Sequence, residues 1–171
     1  MDGWALFETA VGTCGLAWRD EVVTRVELPD VWPGRLSKAA GGAGAADPSG
    51  AVASAVASMT ALLAGEPLDL TAVPVSLAAV SAFDRQVYEV TRTIVPGATL
   101  TYGEVAARVG QPGAAQAVGQ ALGRNPLPIV VPCHRVLAAD GAIGGFSAGG
   151  GAATKRLMLE IEGAPGFQTL F

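Results

Sequence analysis

The stretch TYGEVAARVGQPGAAQAVGQALGRNPLPIVVPCHRV, residues 101–136, decides how this chain folds and where its chemistry lies. Its first part predicts a short helix that Thr101 caps and Gly110 ends, followed by a second short helix from about Gly113 to Leu122. Two short helices joined by a glycine turn resemble a helix-turn-helix, whose second helix is offered to the major groove of DNA. On pattern alone, plain core packing of two helices explains the same residues.

The end of this stretch places Cys133, one of two cysteines, directly before His134, the only histidine of the chain. Residues 129–131 predict a short buried strand, and Pro132 suits the first turn of a helix. Cys133 is then expected at a helix N-terminus, where the dipole and free N–H groups favour thiolate over thiol. An adjacent histidine accepts the thiol proton directly or through water. The alternative is a small buried cysteine beside a satisfied histidine.

A carboxylate is expected to orient the imidazole of His134, as in other activated nucleophiles. Three candidates remain open at this point: Asp140, Glu160 and Glu162. The glycine-rich residues 141–151 are predicted to form a loop that lets backbone come close to a bound group.

Helical patterns lie on both sides of the opening stretch. Ser81 is expected to cap a helix that Pro96 and Gly97 end. Its predicted apolar face is Phe83, Val87, Val90 and Ile94. A last helix is expected from Thr154 to Glu160. Its predicted core contacts are Leu157, Met158 and Ile161.

The N-terminal part has a different character. Residues 4–28 partly alternate apolar and polar side chains, which predicts an antiparallel meander. Residues 34–50 are rich in Gly and Ala without a period and predict a mobile loop. Ser49 is expected to cap a helix, and residues 68–77 predict a strand or extended segment. The helix has apolar residues at helical spacing: Val52, Val56, Met59, Leu62 and Leu63. The whole pattern predicts an α+β protein.

Composition limits the functional class. The chain of 171 residues has a net charge of −4 and a pI of about 4.9, which argues mildly against affinity that comes from phosphate contacts. No apolar run approaches the roughly 18 residues that a membrane helix needs, so we expect an intracellular, cytoplasmic protein without a membrane partner. Cys14 and Cys133 with one histidine are too few for a closed zinc site, so no metal is expected.

The pentapeptide PCHRV, preceded by GRNPLPIVV and followed by GAIGGFS, resembles the active-site region of the O6-alkylguanine-DNA alkyltransferases. The similarity extends over residues 83–163, through FDRQVYEV, TYGEVAARVG, AVGQAL and EIEG, and is weaker before Ala79. The resemblance implies an N-terminal, ribonuclease-H-like α/β domain over residues 1–78. It implies that residues 79–171 form the DNA-binding and alkyl-acceptor domain, with a helix-turn-helix and a winged-helix-like architecture.

The resemblance also implies an activity. The family flips an O6-alkylated guanine out of double-stranded DNA into a pocket, and a cysteine, here Cys133, takes the alkyl group once per molecule. This is a methylated-DNA–protein-cysteine methyltransferase activity that needs no cofactor. O4-alkylthymine is an open second substrate, and a monomer is expected.

Residue roles follow from the same resemblance. His134 is implied to be a water-mediated base that Glu162 orients, and Asn125 ties the helix-turn-helix to the active-site strand. Tyr102 is implied to assist flipping and to donate toward the guanine ring. The implied substrate contacts are Cys133, Val136, Gly144, Phe146, Ser147 and Lys155. The implied DNA contacts are Tyr102, Ala115, Gln116, Arg124 and Arg135, of which Arg135 is also expected to serve structure through ion pairing.

The sequence departs from the family pattern at a few positions. The family typically has an arginine where Gln116 stands, and its side chain fills the space that the flipped nucleotide leaves. Glutamine carries no charge and stacks poorly compared with guanidinium, and Arg124 is the candidate that would compensate. Phe146 stands where a tyrosine is common, and the loop after Ser147 is longer than usual. These departures predict less efficient repair of duplex DNA.

Two other functions stay open at this point. One is a diverged relative whose Cys133 takes an alkyl group from a small molecule or serves self-resistance. The other is a non-catalytic protein that binds alkylated DNA, against which the presence of Cys133, His134 and Glu162 argues.

Overall fold

The computed structural model describes residues 1–143 and 151–168. The N-terminal elements are β1 (Gly3–Thr9), β2 (Gly12–Arg19), β3 (Val22–Glu27), α1 (Pro33–Ala39) and α2 (Gly50–Leu63). The C-terminal elements are α3 (Ala82–Arg92), β4 (Leu100–Thr101), α4 (Tyr102–Arg108), α5 (Ala115–Gly123), a single 3₁₀ turn (Cys133–Arg135), β5 (Val136–Leu137) and α6 (Gly151–Glu162). None of the helices in these two ranges is both long and apolar enough to cross a membrane.

The predicted antiparallel meander is confirmed. The three N-terminal strands form one sheet in the order β1-β2-β3. Asp20 and Glu21 connect β2 to β3 with φ values of 50° and 60°. Two consecutive left-handed residues are what a two-residue type I′ hairpin requires, because its twist matches that of the strands.

The predicted loop at residues 34–50 is partly wrong, because its first residues belong to helix α1. Pro33 lies at the start of this helix, and Leu36 is fully buried on β2. A β-carbon on Gly15 would lie 2.7 Å from Cδ1 of Leu36, so the glycine lets the helix approach the strand. This long-range contact stabilises a helix that has no periodic apolar pattern of its own.

Helix α2 packs on β1 and β3 with the predicted helical spacing. Its buried residues are Val52, Ala55, Met59, Leu62 and Leu63. Residues 68–77 are mostly irregular rather than a regular strand. They form one parallel bridge, between Val75 and Val23, flanked by hydrogen bonds of 2.9 and 3.0 Å from the Val23 N–H to Pro74 and from the Ser76 N–H to Val23.

Helix α3 buries a different face from the predicted one. Its buried residues are Asp84, Val87, Tyr88 and Thr91, whereas Phe83 and Val90 are only partly buried. The carboxylate of Asp84 accepts two hydrogen bonds from Arg124, at 2.9 and 3.0 Å, and the Tyr88 hydroxyl donates to the Ala121 carbonyl at 2.7 Å. A buried acid that is paired with an arginine rotates the helix in a way that apolar periodicity does not reveal.

The two predicted short helices are confirmed as α4 and α5, which pack against each other and against α3. Thr101 and Glu104 form a capping box at the start of α4, with both reciprocal hydrogen bonds present. Strand β4 pairs in parallel with β5, so the start of α4 lies beside the chain that follows the 3₁₀ turn.

Helix α6 is longer than predicted and also presents a different face. Leu157 is 38% exposed, while Lys155, Met158 and Leu159 are buried. Apolar spacing misplaced this face because the buried side includes a lysine, whose ammonium group finds carbonyl partners in the interior.

One continuous hydrophobic core joins the two halves of the chain, from Phe7 in β1 to Met158 in α6. The Val26 N–H of β3 also donates to the Pro126 carbonyl at 2.9 Å, which links the two halves directly. The N-terminal sheet therefore supports the segment that leads to Cys133. The proposed boundary between residues 78 and 79 stays a prediction.

The caps of α4 and α2 give a matched test of helix-end energetics. Thr101→Ala removes a side-chain cap, so we expect the free energy of unfolding to fall by about 1 kcal/mol. Ser49→Ala is the control, because Ser49 precedes α2 without a side-chain cap hydrogen bond, and its effect should be only a few tenths of a kcal/mol. Urea unfolding of both variants measures the difference, and equal losses would contradict it.

Candidate active site

Cys133 lies in a single 3₁₀ turn of three residues rather than at the start of a longer helix. The Cys133 N–H donates to the Val131 carbonyl at 2.7 Å, and the Arg135 N–H donates to the Pro132 carbonyl at 2.9 Å. The chain then enters β5. The expected helix N-terminus is therefore wrong, since one turn carries little of the aligned peptide dipole that a full helix has.

Burial raises the pKa of the Cys133 thiol above its ordinary value. A hydrogen bond from Asn125 and the positive charge of Lys155 act in the opposite direction and offset only part of this effect. The side chain lies in the core, with 6% of the residue exposed. The expectation of a thiolate at rest is corrected, because desolvation penalises the charged form of a buried thiol.

The structure resolves which carboxylate faces the histidine. Nε2 of His134 lies 2.7 Å from Oε1 of Glu162, as predicted for Glu162. Asp140 instead accepts a hydrogen bond from the Ala142 N–H within its own turn, and Glu160 makes no contact with the imidazole among the described residues. Glu162 is thus the orienting carboxylate of this arrangement.

Arg135 completes a buried charged cluster around Glu162. Its guanidinium donates to the two carboxylate oxygens at 2.9 and 2.8 Å and to the Ile94 carbonyl at 2.7 Å. Burial raises the pKa of Glu162, but the hydrogen bonds from His134 and Arg135 outweigh it and lower the pKa to about 2. The arginine neutralises the carboxylate, so this part of the site needs no positive charge on the histidine.

The surroundings of His134 favour its neutral form. Burial lowers its pKa, and the contact with Glu162 offsets only part of this effect. In a neutral imidazole whose Nε2 faces a carboxylate, Nε2 carries the proton and Nδ1 has the free lone pair. Nδ1 is buried and accepts no hydrogen bond from the part of the chain that the structure describes. This tautomer leaves Nδ1 as a proton acceptor.

The side chain of Asn125 is hydrogen-bonded to the segment that precedes Cys133. Its Nδ2 donates to the Val131 carbonyl at 2.9 Å, and its Oδ1 accepts from the Leu127 N–H at 2.9 Å. Between these two contacts, Ile129 has a φ of 76°. This left-handed conformation is strained for a β-branched residue. These two hydrogen bonds are the connection from Asn125 to the active-site segment that the sequence predicts.

Lys155 brings Val136 and Tyr102 into the same site. Its ammonium group donates to the Val136 carbonyl at 2.7 Å and to the Ile143 carbonyl at 2.8 Å, and it lies 5.8 Å from the centroid of the Tyr102 ring. Burial lowers the pKa of Lys155 to about 8, and burial together with the nearby Cys133 raises that of Tyr102. The Tyr102 ring and the Cys133 thiol thus both lie near the same buried ammonium group.

Two implied DNA contacts have other partners. Arg124 caps the far end of α5 and binds Asp84, about 12 Å along the helix from Gln116, so it does not replace an arginine there. Arg135 is buried with Glu162, which corrects its assignment as a DNA contact to a role inside the protein. Gln116 is exposed on α5, and Ala115 beside it is partly buried.

The remaining predicted contacts, Gly144, Phe146 and Ser147, lie outside the described residues. Residues 1–143 and 151–168 contain no group of three or more metal-ligating side chains that could hold a metal. Cys14 is fully buried in β2, where burial raises its pKa to about 11.

Comparisons with known proteins match this arrangement to a family. A family profile described as 6-O-methylguanine DNA methyltransferase, DNA binding domain, matches residues 82–164. The methylated-DNA–protein-cysteine methyltransferase of Mycolicibacterium paratuberculosis is 40% identical over 169 residues, which cover 96% of this chain and 95% of that protein. The chain belongs to the methylated-DNA–protein-cysteine methyltransferase family.

Other members of this methyltransferase family agree in sequence and fold. The protein of that name from Mycobacterium tuberculosis is 46% identical over 125 residues, covering 71% of this chain and 73% of that protein. The crystal structure of Mycobacterium tuberculosis OGT in complex with DNA has a TM-score of 0.79, with 34% identity and 96% of each chain covered. The predicted family and the α+β fold class are confirmed.

Sequence reasoning missed two features of this methyltransferase site. One is the buried Asp84, whose pairing with Arg124 fastens α3 to the end of α5. An acid at the first turn of a helix carried no signal that it would be buried. The other is the left-handed Ile129, which nothing in its residue type predicts, because glycine is the usual residue in that conformation.

The Glu162 cluster predicts how stability depends on pH. A carboxyl group whose pKa falls from 4.5 to about 2 on folding stabilises the fold above pH 4.5 and loses this contribution as the pH falls towards 2. Glu162→Gln should lower the free energy of unfolding by about 3–5 kcal/mol at pH 7, because Arg135 stays buried without an anion. The variant should also lose stability less steeply than the wild type below pH 4.5.

Denaturant unfolding at a series of pH values measures both effects. Glu160→Gln, two residues away on the same helix, is the control and should change stability by no more than about 0.5 kcal/mol. Parallel pH profiles for the wild type and Glu162→Gln would refute the assignment.

The charge of Lys155 gives a second test at the thiol. Lys155→Met removes a positive charge near Cys133, so the pH profile of Cys133 alkylation by iodoacetamide should move to higher pH. Arg156→Met is the matched control, because it removes a charge from the next residue of α6, which is stacked over Phe167 instead. A shift of the same size in both variants would contradict a specific role for Lys155.

Proposed function

We propose that this chain repairs alkylated DNA by direct reversal, moving the alkyl group of O6-alkylguanine to Sγ of Cys133. One observation carries the proposal: a buried thiol directly precedes a buried histidine that contacts a buried carboxylate, in a chain of the methylated-DNA–protein-cysteine methyltransferase family. DNA as the partner is supported by the match to a DNA-binding domain and by the likeness to an OGT structure in complex with DNA.

The transfer is a displacement at the alkyl carbon. The sulfur of Cys133 forms a new bond to this carbon while the bond from the carbon to O6 of guanine breaks, and the electron pair leaves with O6. The thiol proton goes to Nδ1 of His134, through a water molecule, and guanine gains a proton from the Tyr102 hydroxyl as it leaves. The products are a thioether and an unmodified guanine, and each protein molecule acts once.

Two features of the site stabilise the products of this proton transfer, whereas the raised pKa of Cys133 and the lowered pKa of His134 oppose it. The raised pKa of Cys133 keeps the sulfur protonated at rest, so the thiolate forms as the base accepts the proton. The imidazolium that results then faces the carboxylate of Glu162 at 2.7 Å, which stabilises the new charge. Lys155 adds a positive charge near the sulfur.

The base pocket follows from the same arrangement. We assign its walls to Tyr102 and the backbone near Val136, with Lys155 holding the Val136 carbonyl in place. Gly144, Phe146 and the N–H of Ser147 are proposed to contact the base from the glycine-rich loop. The helix pair α4 and α5 is proposed to contact the duplex, with Ala115 and Gln116 at the start of α5.

We also propose a domain division, a monomeric state and a cellular location for the protein. Residues 1–78 form the N-terminal domain and residues 79–171 the acceptor domain, and the chain acts as a monomer on double-stranded DNA. We place this activity in the cytoplasm, at the nucleoid, because its substrate is chromosomal DNA.

Intact mass spectrometry tests the function directly. Incubation with a duplex that contains O6-methylguanine should add the mass of one methylene group per molecule, mapped to Cys133. Cys133→Ala should gain no mass and still bind the DNA, whereas Cys14→Ala should react like the wild type.

Each alternative function has its own outcome in this experiment. Lesion binding without any mass change in the wild type would indicate a binding protein. Transfer from free O6-methylguanine as fast as from DNA would indicate a small-molecule donor, and methylation of Cys14 in the Cys133→Ala variant would refute the assigned nucleophile.

A further inference from the structure

The helix pair that faces DNA in the proposed function carries almost no charge. Residues 100–123, which include α4 and α5, contain one acid, Glu104, and one base, Arg108. Helix α5 has no charged residue at all. Its exposed long side chains are Gln116 and Gln120, which lie one turn apart on the same face, about 6 Å from each other.

Several other basic side chains of the C-terminal half pair with groups of the protein, although the side chain of Arg124 is 58% exposed. Arg124 binds Asp84, Arg135 binds Glu162, Lys155 binds the Val136 and Ile143 carbonyls, and Arg92 binds the Leu70, Thr71 and Val73 carbonyls. Arg135 and Lys155 are also buried. The exposed cations that flank α5 in the chain are Arg108 on α4 and the Asp84-paired Arg124 after the C-terminal end of α5, and neither lies on α5 itself.

A neutral helix face limits what the protein contributes to base flipping. Extrusion unstacks and unpairs the target base. The free energy that this requires is smallest for a mismatched or single-stranded base. Compensation requires a side chain that fills the gap, stacks on the neighbouring bases and attracts the phosphates. Gln116 is long enough to enter the gap, but its amide carries no charge and stacks more weakly than a guanidinium.

From this surface we infer that the preferred substrate is an O6-alkylguanine that is not held in a paired stack, in single-stranded DNA or opposite a missing base. The inference rests on the proposed function and specifies its substrate class. Gln116 is the specificity-determining residue. Because its side chain is neutral, it compensates little for unpairing and unstacking, so the reaction favours DNA in which the target base is already unpaired.

Single-turnover kinetics test the preference. The rate constant of methyl transfer to Cys133 is measured with one oligonucleotide sequence in three forms: single strand, duplex with the lesion opposite an abasic site, and duplex with the lesion opposite cytosine. The first two should react about tenfold faster or more than the third. Equal rates, or a faster reaction opposite cytosine, would overturn the inference, while absence of transfer from all three would refute the proposed function instead.

Two substitutions on the same helix face locate the effect. Gln116→Arg should raise the rate on the cytosine-paired duplex about tenfold relative to the single strand, because it adds a charged, stacking side chain at the gap. Gln120→Arg adds the same charge one turn further along α5 and should leave this ratio unchanged. Both are exposed positions where glutamine and arginine have similar helix propensities, so folding is preserved.

The comparison of the two variants is decisive. If both raise the ratio equally, net charge rather than the position of Gln116 limits the reaction, and the inference fails. It fails equally if Gln116→Arg leaves the ratio unchanged.

Discussion

The buried carboxylate of Glu162 is the interaction on which the site depends. It lies at the end of α6 and accepts hydrogen bonds from His134 and Arg135 of the 3₁₀ turn, and Arg135 in turn donates to the Ile94 carbonyl beyond α3. One anion thus fastens three separate parts of the chain around the nucleophile. Arg135 balances the negative charge of Glu162, so the carboxylate does not require a protonated histidine. The site can therefore hold a neutral imidazole as a base without burying a further charge.

The sequence identifies the reactive residues of the site better than it predicts their contacts and burial. Cys133 and His134 were identifiable because they are adjacent and the histidine is unique, and the motif around them identified the family. The residue pattern left three carboxylates as candidate partners of the histidine, the family resemblance implied Glu162, and the fold shows that Glu162 contacts the imidazole. The pKa of Cys133 was predicted in the wrong direction, since burial depends on packing that no local pattern encodes.

The fold was predictable where local signals agree with long-range packing. The hairpins of the N-terminal sheet and the capping box of α4 follow from turn and cap residues that act within a few positions. Helix α1 and the buried faces of α3 and α6 were not predictable, because each is decided by a distant partner. Leu36 packs on β2, Asp84 binds Arg124, and Lys155 finds carbonyls across the site.

The irregular segments that flank the N-terminal sheet have a consequence for the solution behaviour of the whole chain. Strand β1 is covered at Trp4 by residues 44–46, through hydrogen bonds with Gly44 and Ala46, and β3 is covered by residues 74–76 and by Pro126. Open strand edges are templates for pairing with other chains. Here stretches without regular secondary structure occupy the edges, and one of them leads directly to the nucleophile. Protection against aggregation and support of the reactive cysteine are therefore carried by the same backbone.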